Sequence, residues 1–599
     1  MISTPSASIF PFIDAIETAA SKVFDPGASL IFLPTRPNIH TEYLDDRKRH
    51  PIRESLNYAL VLLETGRPEA LAQASTTIES VLAYQEAKDP DDQSYGLWHY
   101  FAEESVLEWP FPDYNWADFN ALVLLLIWHR HAPRLSPALR EAIQLSIQRA
   151  ALCIRRRNVH LNYTNIAIKG TFVTLAAAEL LNDADLLAYA TDRMQKLHAT
   201  IFASESFAEY NSPPYAAICL GALMAIDHYV GHEPGRQLAL EIQHRFWNHI
   251  SAHFHPATGE IAGPHSRSYS ITLRESPGDL GSILHRASGG VIQYDFASAI
   301  ADYPFTGLYG YLFEPRLPAS ALRHLLDKDR CAEVREVTQR YPEGSSADIT
   351  SYLEPGFCLG SVNFQDGWEQ RQNLIGFWPA SEGVGVLKQE YLHDKRPCCS
   401  GFFASAQRGG RVLAASFLGN FADHHVSFRT EEIVAAFLGS VVKFQSAGDP
   451  FEIYQNRTLL EKGSTTPIVE GDAIFLRLPK LALAIKALRH RTGPQDNNTA
   501  TLSIQDGGFR LEFPHYQGEA RHIRWADFPY AHTYFGLEIT SPPSDLALWR
   551  DQFIKEKHAV TETEDDFRLR WGGLSVSVPN TTLTEEDIRT FFSRDRAIP

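Results

Sequence analysis

The chain has 599 residues, which is too long for one ordinary hydrophobic core, so two large domains are expected. Hydrophobic residues make up 44% and charged residues 21%, a composition that excludes a disordered chain or a membrane protein. The net charge of −17 argues against a general nucleic-acid-binding protein, and an anionic substrate would need a local basic patch.

The N-terminal sequence has neither a basic segment nor an uninterrupted apolar run, so it does not indicate a signal peptide. No window of about 18 apolar residues indicates a membrane span. We therefore expect a cytoplasmic protein, or a secreted one whose leader has been removed. The six cysteines show no metal-ligand spacing and are too few for a disulfide framework, so no metal or cofactor is predicted.

From about residue 9 to residue 327 the apolar periodicity is helical. Antiparallel helices in this number either stack as a solenoid or close into a ring, and the lack of a repeat of fixed period favours a closed α/α toroid. The clearest predicted helices are 54–64, 68–86, 116–131, 136–156, 164–181, 183–203, 213–230 and 234–253.

After residues 342–347 the pattern changes to short strands separated by turn residues, which is typical of an antiparallel β-sandwich. The sequence thus predicts an α/α toroid with a catalytic cleft over residues 1–330 and a β-sandwich over residues 331–599. The predicted strands are 357–363, 373–378, 384–391, 411–418, 441–445, 473–478, 482–488, 500–505, 509–513 and 574–578.

Aromatic rings and amides are concentrated in two loops, 98–100 and 109–120, which include His99 and Trp116. Sugar-binding clefts use this combination because pyranose faces stack on rings while hydroxyls take directed hydrogen bonds. Aromatic packing between helices of a ring explains the same residues equally well.

The segment 158–169 leads into an apolar helix and carries Asn162, Tyr163, Asn165 and Lys169. The spacings of three and four residues place both amides and the ammonium on one face of that helix, where they could receive a carboxylate. The alternative is that Asn162 or Thr164 only caps the helix.

The segment 207–215 places Glu209, Tyr210, Asn211 and Tyr215 at the start of another helix. Ser212 is a good N-cap, and the two prolines after it fit the first helical positions. Polar groups at a helix start commonly line a cleft, although a plain capping loop accounts for the same pattern.

A third segment presents His265, Arg267 and Tyr269 at alternate positions of a glycine-punctuated loop. In extended backbone these three side chains point to the same side, which favours a site. Further histidines at 393 and 424–425 fall near predicted strand ends, and a histidine pair without a third ligand is weak evidence for zinc.

This combination resembles the heparinase II/III-like and alginate-lyase-like group of polysaccharide lyases. Segment 162–165 resembles the Asn-His helix start that binds the uronate carboxylate in that group, and segment 209–215 resembles its tyrosine-bearing segment. The resemblance implies β-elimination at a uronic acid. Tyr163 stands where the group has histidine, so His265 is a candidate replacement for that function.

Elimination requires a neutralised carboxylate, a base and an acid. We expect Asn162, Asn165 and Arg267 to bind the carboxylate of an acidic poly- or oligosaccharide. Tyr215, Tyr269 and His265 are the proton-transfer candidates, since a phenol beside a cation has a lowered pKa. The remaining substrate-binding candidates are His99, Trp116, Tyr163, Lys169, Glu209, Tyr210 and Asn211.

Two other functions fit the same residues. A glycoside hydrolase on a helical toroid would need paired carboxylates, for which Glu209, Asp113 and Asp118 are available. A non-catalytic glycan-binding protein could retain the same scaffold. Neither nucleic acid nor membrane is expected as a partner.

Overall fold

The computed structural model describes residues 10–35, 43, 45–107, 112–273, 278–339, 346–420, 433–493 and 499–594. Its first half is helical. The helices are α1 (Phe10–Ser21), α2 (Ile52–Glu64), α3 (Pro68–Ala83), α4 (Asn115–His131), α5 (Pro137–Arg157), α6 (Thr164–Leu181), α7 (Ala184–Phe202), α8 (Pro213–Tyr229), α9 (Glu233–His253), α10 (Gly278–Ala287), α11 (Phe296–Asp302), α12 (Leu308–Leu312), α13 (Ala319–Leu326), and, in the second half, α14 (Leu546–Lys555) and α15 (Glu585–Arg594).

The helices of the first half form two layers. Helices α2, α4, α6, α8 and α10 contact one another in that order, while α3, α5, α7 and α9 cover them from outside. The sequence explains the difference, because α6 is apolar on nearly all sides and is buried throughout its first fifteen residues, whereas α5 buries a single face. The inner layer therefore forms the core.

The inner layer closes into a ring. Tyr303 donates its hydroxyl hydrogen to Glu54 on α2 at 2.5 Å, and Tyr309 donates to Asn57 at 3.3 Å. Helix α1 also contacts both α2 and α11. The last helices of the ring thus return to the first, and the predicted α/α toroid is confirmed.

The second half is built from antiparallel strands. The strands of the whole chain are β1 (Phe24–Asp25), β2 (Leu30–Ile31), β3 (Leu33–Pro34), β4 (Lys48–Arg49), β5 (Phe254–His255), β6 (Glu260–Ile261), β7 (Ala332–Gln339), β8 (Ser346–Glu354), β9 (Phe357–Val362), β10 (Phe364–Asp366), β11 (Leu374–Ala380), β12 (Gly383–His393), β13 (Arg396–Pro397), β14 (Gly401–Arg408), β15 (Arg411–Leu418), β16 (Val434–Gln445), β17 (Glu452–Gln455), β18 (Thr458–Leu459), β19 (Thr465–Ile468), β20 (Ala473–Arg477), β21 (Ala482–Thr492), β22 (Ala500–Gln505), β23 (Gly508–His522), β24 (Ala531–Thr540), β25 (His558–Glu562), β26 (Asp566–Trp571) and β27 (Leu574–Pro579).

Two large sheets face each other in this half. One has the order β10-β14-β15-β24-β21-β20-β17-β18, and the other has the order β19-β22-β23-β16-β12-β11-β9-β8-β7. Their inner faces share a core that includes Leu359, Phe444 and Phe535. A small sheet, β25-β26-β27, packs with α14 and α15 against the outer face of the first sheet. The predicted β-sandwich is confirmed.

The structure contains strands that the prediction lacked, among them β14 and β24 inside the first sheet and β7 and β8 at the junction. The last ring helix ends at Leu326 and strand β7 begins at Ala332, so β7 and β8 precede the first predicted strand. Strand β7 was missed because only one of its eight positions is buried and two of its three exposed positions are charged, which is usual for an edge strand. The predicted candidates 109–111 and 423–425 lie outside the described residues. No helix among the described ranges is long and apolar enough to cross a membrane.

Candidate active site

A buried carboxylate lies at the centre of the residues that the sequence singles out. Glu209, just before α8, is 2% exposed. Asn165, in the first turn of α6, donates its backbone N–H to Glu209 at 2.7 Å and its side-chain amide at 2.8 and 2.9 Å. Arg267, from the loop after β6, donates to the same carboxylate at 2.8 Å. Three separate segments of the ring therefore converge on one ion pair.

A chain of hydroxyl groups leads from this ion pair to solvent. Arg267 Nη2 donates to Tyr215 Oη at 2.7 Å, and Tyr215 Oη lies 2.6 Å from Tyr269 Oη. Tyr215 is 6% exposed, whereas Tyr269 is 60% exposed. A proton on Tyr215 thus has a short hydrogen-bonded route to water.

The pKa of Tyr215 beside Arg267 differs from the value expected from sequence. Burial raises the pKa of Tyr215 well above its ordinary value, and the charge of Arg267, which lies 4.0 Å from the ring centre, offsets only part of that effect. A lowered pKa was predicted from the neighbouring cation, and burial outweighs it. The resting phenol is therefore protonated, and Arg267 is the group that stabilises its anion.

Both domains hold the loop that carries Arg267. Ser212 occupies the N-cap position of α8, but its hydroxyl donates to the carbonyl oxygen of Arg267 at 2.7 Å and does not cap the helix. Ser266 donates its hydroxyl hydrogen to the carbonyl oxygen of Tyr210 at 2.6 Å. From the sandwich, Gln370 accepts the Arg267 Nε–H at 2.9 Å. The guanidinium orientation therefore depends on both halves of the chain.

Three predicted site residues have structural contacts away from this cluster. His265 is 2% exposed, donates its Nε2–H to the Ile261 carbonyl oxygen, and has its pKa lowered to about 4 by burial. Tyr210 packs in the sandwich core, and Asn211 bonds to the histidines of α9. The prediction that His265, Arg267 and Tyr269 share one side fails for His265, because the loop is not a regular strand and forms only an isolated bridge between His265 and Gln372.

Tyr163 lies beside the Arg267 guanidinium, whereas Asn162 faces a separate groove. Tyr163 takes the N-cap position of α6, its ring centre lies 5.5 Å from the Arg267 guanidinium, and its hydroxyl accepts from Asn115 at 3.1 Å. Asn162 lines a separate groove of about 780 Å³ against α7. That groove contains none of the Glu209, Arg267 or Tyr215 side chains.

Lys169 lines a smaller cavity, of about 140 Å³, in the middle of the ring. The Lys169 side-chain nitrogen is 3.0 Å from the ring centre of Phe119, and the guanidinium of Arg53 lies 5.2 Å from the same ring centre. Burial and the charge of Arg53 lower the pKa of Lys169 well below its ordinary value. Lys169 is one helical turn beyond Asn165, so this cavity adjoins the Glu209 cluster.

The two aromatic-loop candidates do not line that cavity. Trp116 is buried, stacks on Tyr100 with 4.4 Å between ring centres, and lies 5.2 Å from the Arg53 guanidinium. His99 packs against Tyr84 at 5.8 Å, and burial lowers its pKa. Neither makes a described hydrogen bond to the Glu209 cluster, so their part in a site stays a prediction.

The carboxylates proposed for a hydrolase are placed unfavourably. Glu209 has both oxygens occupied by Asn165 and Arg267. Asp118 is 1% exposed, and burial raises its pKa to about 7. Asp113 accepts the backbone N–H of Asn115 at 2.9 Å, as a turn residue does. The structure shows no exposed carboxylate pair in this set.

Two residues of the site were missed from sequence. Gln370 holds the Arg267 Nε–H, and the ring centre of Trp368 lies 5.1 Å from the guanidinium. Both come from the turn before β11, more than a hundred residues from Arg267. No local pattern could have indicated them, because only the packing of the two domains brings them near.

Residues 29–297 match a family model described as "Domain of unknown function (DUF8769)". No curated protein matches the sequence.

Solved structures of polysaccharide lyases are similar to this chain. The chondroitin AC lyase of Streptomyces coelicolor A3 is 10% identical with a TM-score of 0.44, covering 97% of this chain and 86% of that one. Heparinase III is 8% identical with a TM-score of 0.42, covering 97% and 93%. A Paenibacillus xanthan lyase is 11% identical with a TM-score of 0.42, covering 94% and 60%.

Proposed function

We propose that this protein is a lyase that cleaves an acidic glycan by β-elimination at a uronic acid, with Tyr215 as the proton carrier. The observation that supports it is the position of the Tyr215 hydroxyl, 2.7 Å from the Arg267 guanidinium and 2.6 Å from the exposed Tyr269 hydroxyl. One neighbour stabilises a phenolate and the other connects it to water.

The chemistry follows from these two contacts. Tyr215 first passes its proton through Tyr269 to solvent, leaving a phenolate beside the Arg267 charge. The phenolate then takes the proton next to the uronate carboxylate, and the C4–O bond breaks as the C4–C5 double bond forms. The reformed phenol returns its proton to the leaving oxygen, so the tyrosine ends as an anion again.

Binding of the substrate carboxylate is the less direct part of the proposal. Asn165 uses its N–H groups on Glu209, and three of the five N–H groups of Arg267 are engaged by Gln370, Glu209 and Tyr215. The two N–H groups of Arg267 beyond these three are the proposed donors to the substrate carboxylate. A role for Asn165 at the substrate stays a prediction.

The cavity next to the cluster supports a sugar ligand. Phe119 offers an aromatic face, and the Arg53 guanidinium and the Lys169 side-chain nitrogen lie beside it. Asn57 and Asp279 line the same cavity and supply groups for hydroxyls. We assign this cavity to the sugar unit that neighbours the cleaved bond.

A panel of acidic polysaccharides and their oligosaccharides tests the proposal. Elimination creates a conjugated C4–C5 double bond, so ultraviolet absorbance should rise together with the number of chain ends. Release of reducing ends without absorbance would instead indicate the hydrolase. Saturable glycan binding with neither product would indicate the non-catalytic binding protein.

A further inference from the structure

A second cluster of ionisable groups lies where the ring meets the sandwich. His249 and His253 are one turn apart on α9, and Glu336 projects from β7. One nitrogen or oxygen from each of the three lies within 4.8 Å of the other two. Both histidines are buried, while the Glu336 side chain is 16% exposed. The group is distinct from the Arg267 cluster in its residues and contacts.

The hydrogen bonds around His253 define which of its nitrogens is available. Ser351 donates its single hydroxyl hydrogen to the Gly263 carbonyl oxygen, so its oxygen accepts the Nδ1–H of His253 at 2.8 Å. The side-chain amide of Asn211 lies 3.3 Å from the same nitrogen, and with the proton on Nδ1 that amide must turn its oxygen toward the histidine. The other nitrogen, Nε2, is buried and makes no hydrogen bond to any described residue. It lies 3.5 Å from the carboxylate oxygen Oε2 of Glu336.

This arrangement leaves a nitrogen lone pair opposite a carboxylate oxygen, which is repulsive unless a cation lies between them. A histidine whose Nδ1–H is held by a hydroxyl oxygen and whose Nε2 is unused is the usual form of a metal ligand. Ligand atoms about 2.1 Å from a tetrahedral metal ion lie about 3.4 Å apart, close to the separation of His253 and Glu336.

We propose that His249, His253 and Glu336 bind a divalent zinc-type metal ion at the junction of the two domains. Two imidazoles and one carboxylate suit zinc, and they leave a fourth position for water. The partial exposure of Glu336 gives that water and the ion a path from solvent. The bound ion links α9 of the ring to β7 of the sandwich.

Metal binding changes the contacts of His249, whose Nδ1 also lies 3.3 Å from the Ser206 hydroxyl. Its Nδ1–H now donates to Glu336 at 2.8 Å, while its Nε2 accepts the backbone N–H of Asn211 at 3.2 Å. When the metal takes Nδ1, the ring proton moves to Nε2, and Asn211 must release that contact. The ion would therefore shift the backbone two residues after Glu209, which connects the junction to the Arg267 cluster.

The test uses the full chain, dialysed against a chelator and titrated with zinc chloride by calorimetry. Wild type should bind one zinc ion per chain, and zinc should raise its melting temperature. His253→Gln and Glu336→Gln should each weaken zinc binding at least 100-fold. His244→Gln changes a histidine of the same helix outside the cluster, and it should bind zinc as wild type does.

Cobalt provides a second readout, since its visible absorption reports tetrahedral coordination by nitrogen and oxygen. If circular dichroism shows that His253→Gln fails to fold, Glu336→Gln still decides the question, because the Glu336 side chain is partly exposed. Absence of zinc uptake by wild type would overturn the proposal and leave a proton between His253 and Glu336. Equal uptake by wild type and both cluster variants would overturn it as well, by placing the zinc elsewhere.

Discussion

Two buried tyrosines, one in each domain, make similar hydrogen bonds in different surroundings. Tyr215 bonds to Arg267 and Tyr269, as described above. In the sandwich, the Tyr391 hydroxyl lies 2.7 Å from His515 Nδ1, and His515 Nε2 lies 3.1 Å from the Thr533 hydroxyl. Burial raises the pKa of both tyrosines well above the ordinary value.

The difference lies in what each hydrogen-bonded chain contains and where it ends. Arg267 lowers the energy of a Tyr215 anion, whereas no arginine contributes at Tyr391. The Tyr215 chain reaches an exposed hydroxyl, while Tyr391, His515 and Thr533 are all buried. A buried tyrosine can therefore serve proton transfer only when a cation and an exit accompany it, and otherwise it serves packing.

Removing the cation should have the largest effect. Arg267→Met leaves the Glu209 carboxylate buried without its ionic partner, which should lower the free energy of unfolding by about 3–5 kcal/mol and abolish turnover. The double variant Glu209→Gln with Arg267→Met removes both charges and should regain most of the stability but none of the activity. Urea denaturation measures the free energy of unfolding of both variants, and ultraviolet absorbance measures their turnover. A double variant that stayed as unstable as Arg267→Met would contradict the ion-pair explanation.

The stability of the buried histidines around Thr533 in the sandwich should depend on pH. Burial lowers the pKa of His490, which hydrogen-bonds to Thr533, to about 4 from 6.5. Because the folded-state pKa is lowered, its stability contribution is complete above pH 6.5 and is lost as the pH falls through 4. This amounts to about 3 kcal/mol. Urea denaturation of wild type and His490→Gln between pH 7 and 4.5 should show a smaller acid loss in the variant, and parallel curves would refute it.

Removing one hydroxyl from the reactive chain should affect turnover alone. Tyr215→Phe should reduce turnover about 10²-fold or more, the usual contribution of general acid–base catalysis, with little change in melting temperature. Tyr189→Phe is the matched control, since it also removes a hydroxyl hydrogen bond, to Asn158 at 3.1 Å, and should keep full activity. Normal activity in Tyr215→Phe would exclude it as the proton carrier.

The corresponding change in the sandwich should have the smallest effect. Tyr391→Phe leaves His515 without a partner at Nδ1 and should lower the free energy of unfolding by about 1–2 kcal/mol. Turnover on the best acidic glycan should stay at the wild-type level. Loss of turnover with unchanged stability would erase the distinction between the two tyrosines.

The fold could be predicted because its signals are local. Helix α6 begins at Thr164 and ends at Leu181, as predicted, and β15 and β22 also have their predicted ends. Apolar periodicity and turn residues define such limits within a few positions. Strand β7 lacked that signal, since its burial comes from contact with the ring through residues such as Glu336 and Thr338.

The site was only partly predictable, because several of its contacts join residues that are distant in sequence. Side-chain chemistry indicated Tyr215, Arg267 and Tyr269, which the structure joins by hydrogen bonds. It did not indicate that Glu209 would occupy the donors of Asn165 and Arg267, because an internal carboxylate competes with a substrate one and sequence does not show which is near. The location of His265 likewise follows from domain packing.

The contact between Arg267 and Gln370 also has a consequence for the timing of synthesis. The two residues are 103 positions apart in the chain, and Gln370 lies beyond the end of the ring. During translation the ring emerges first, and for more than a hundred residues its arginine has no sandwich acceptor. The nascent ring therefore leaves the ribosome with an incompletely oriented guanidinium, and the reactive geometry is complete only after the sandwich has docked.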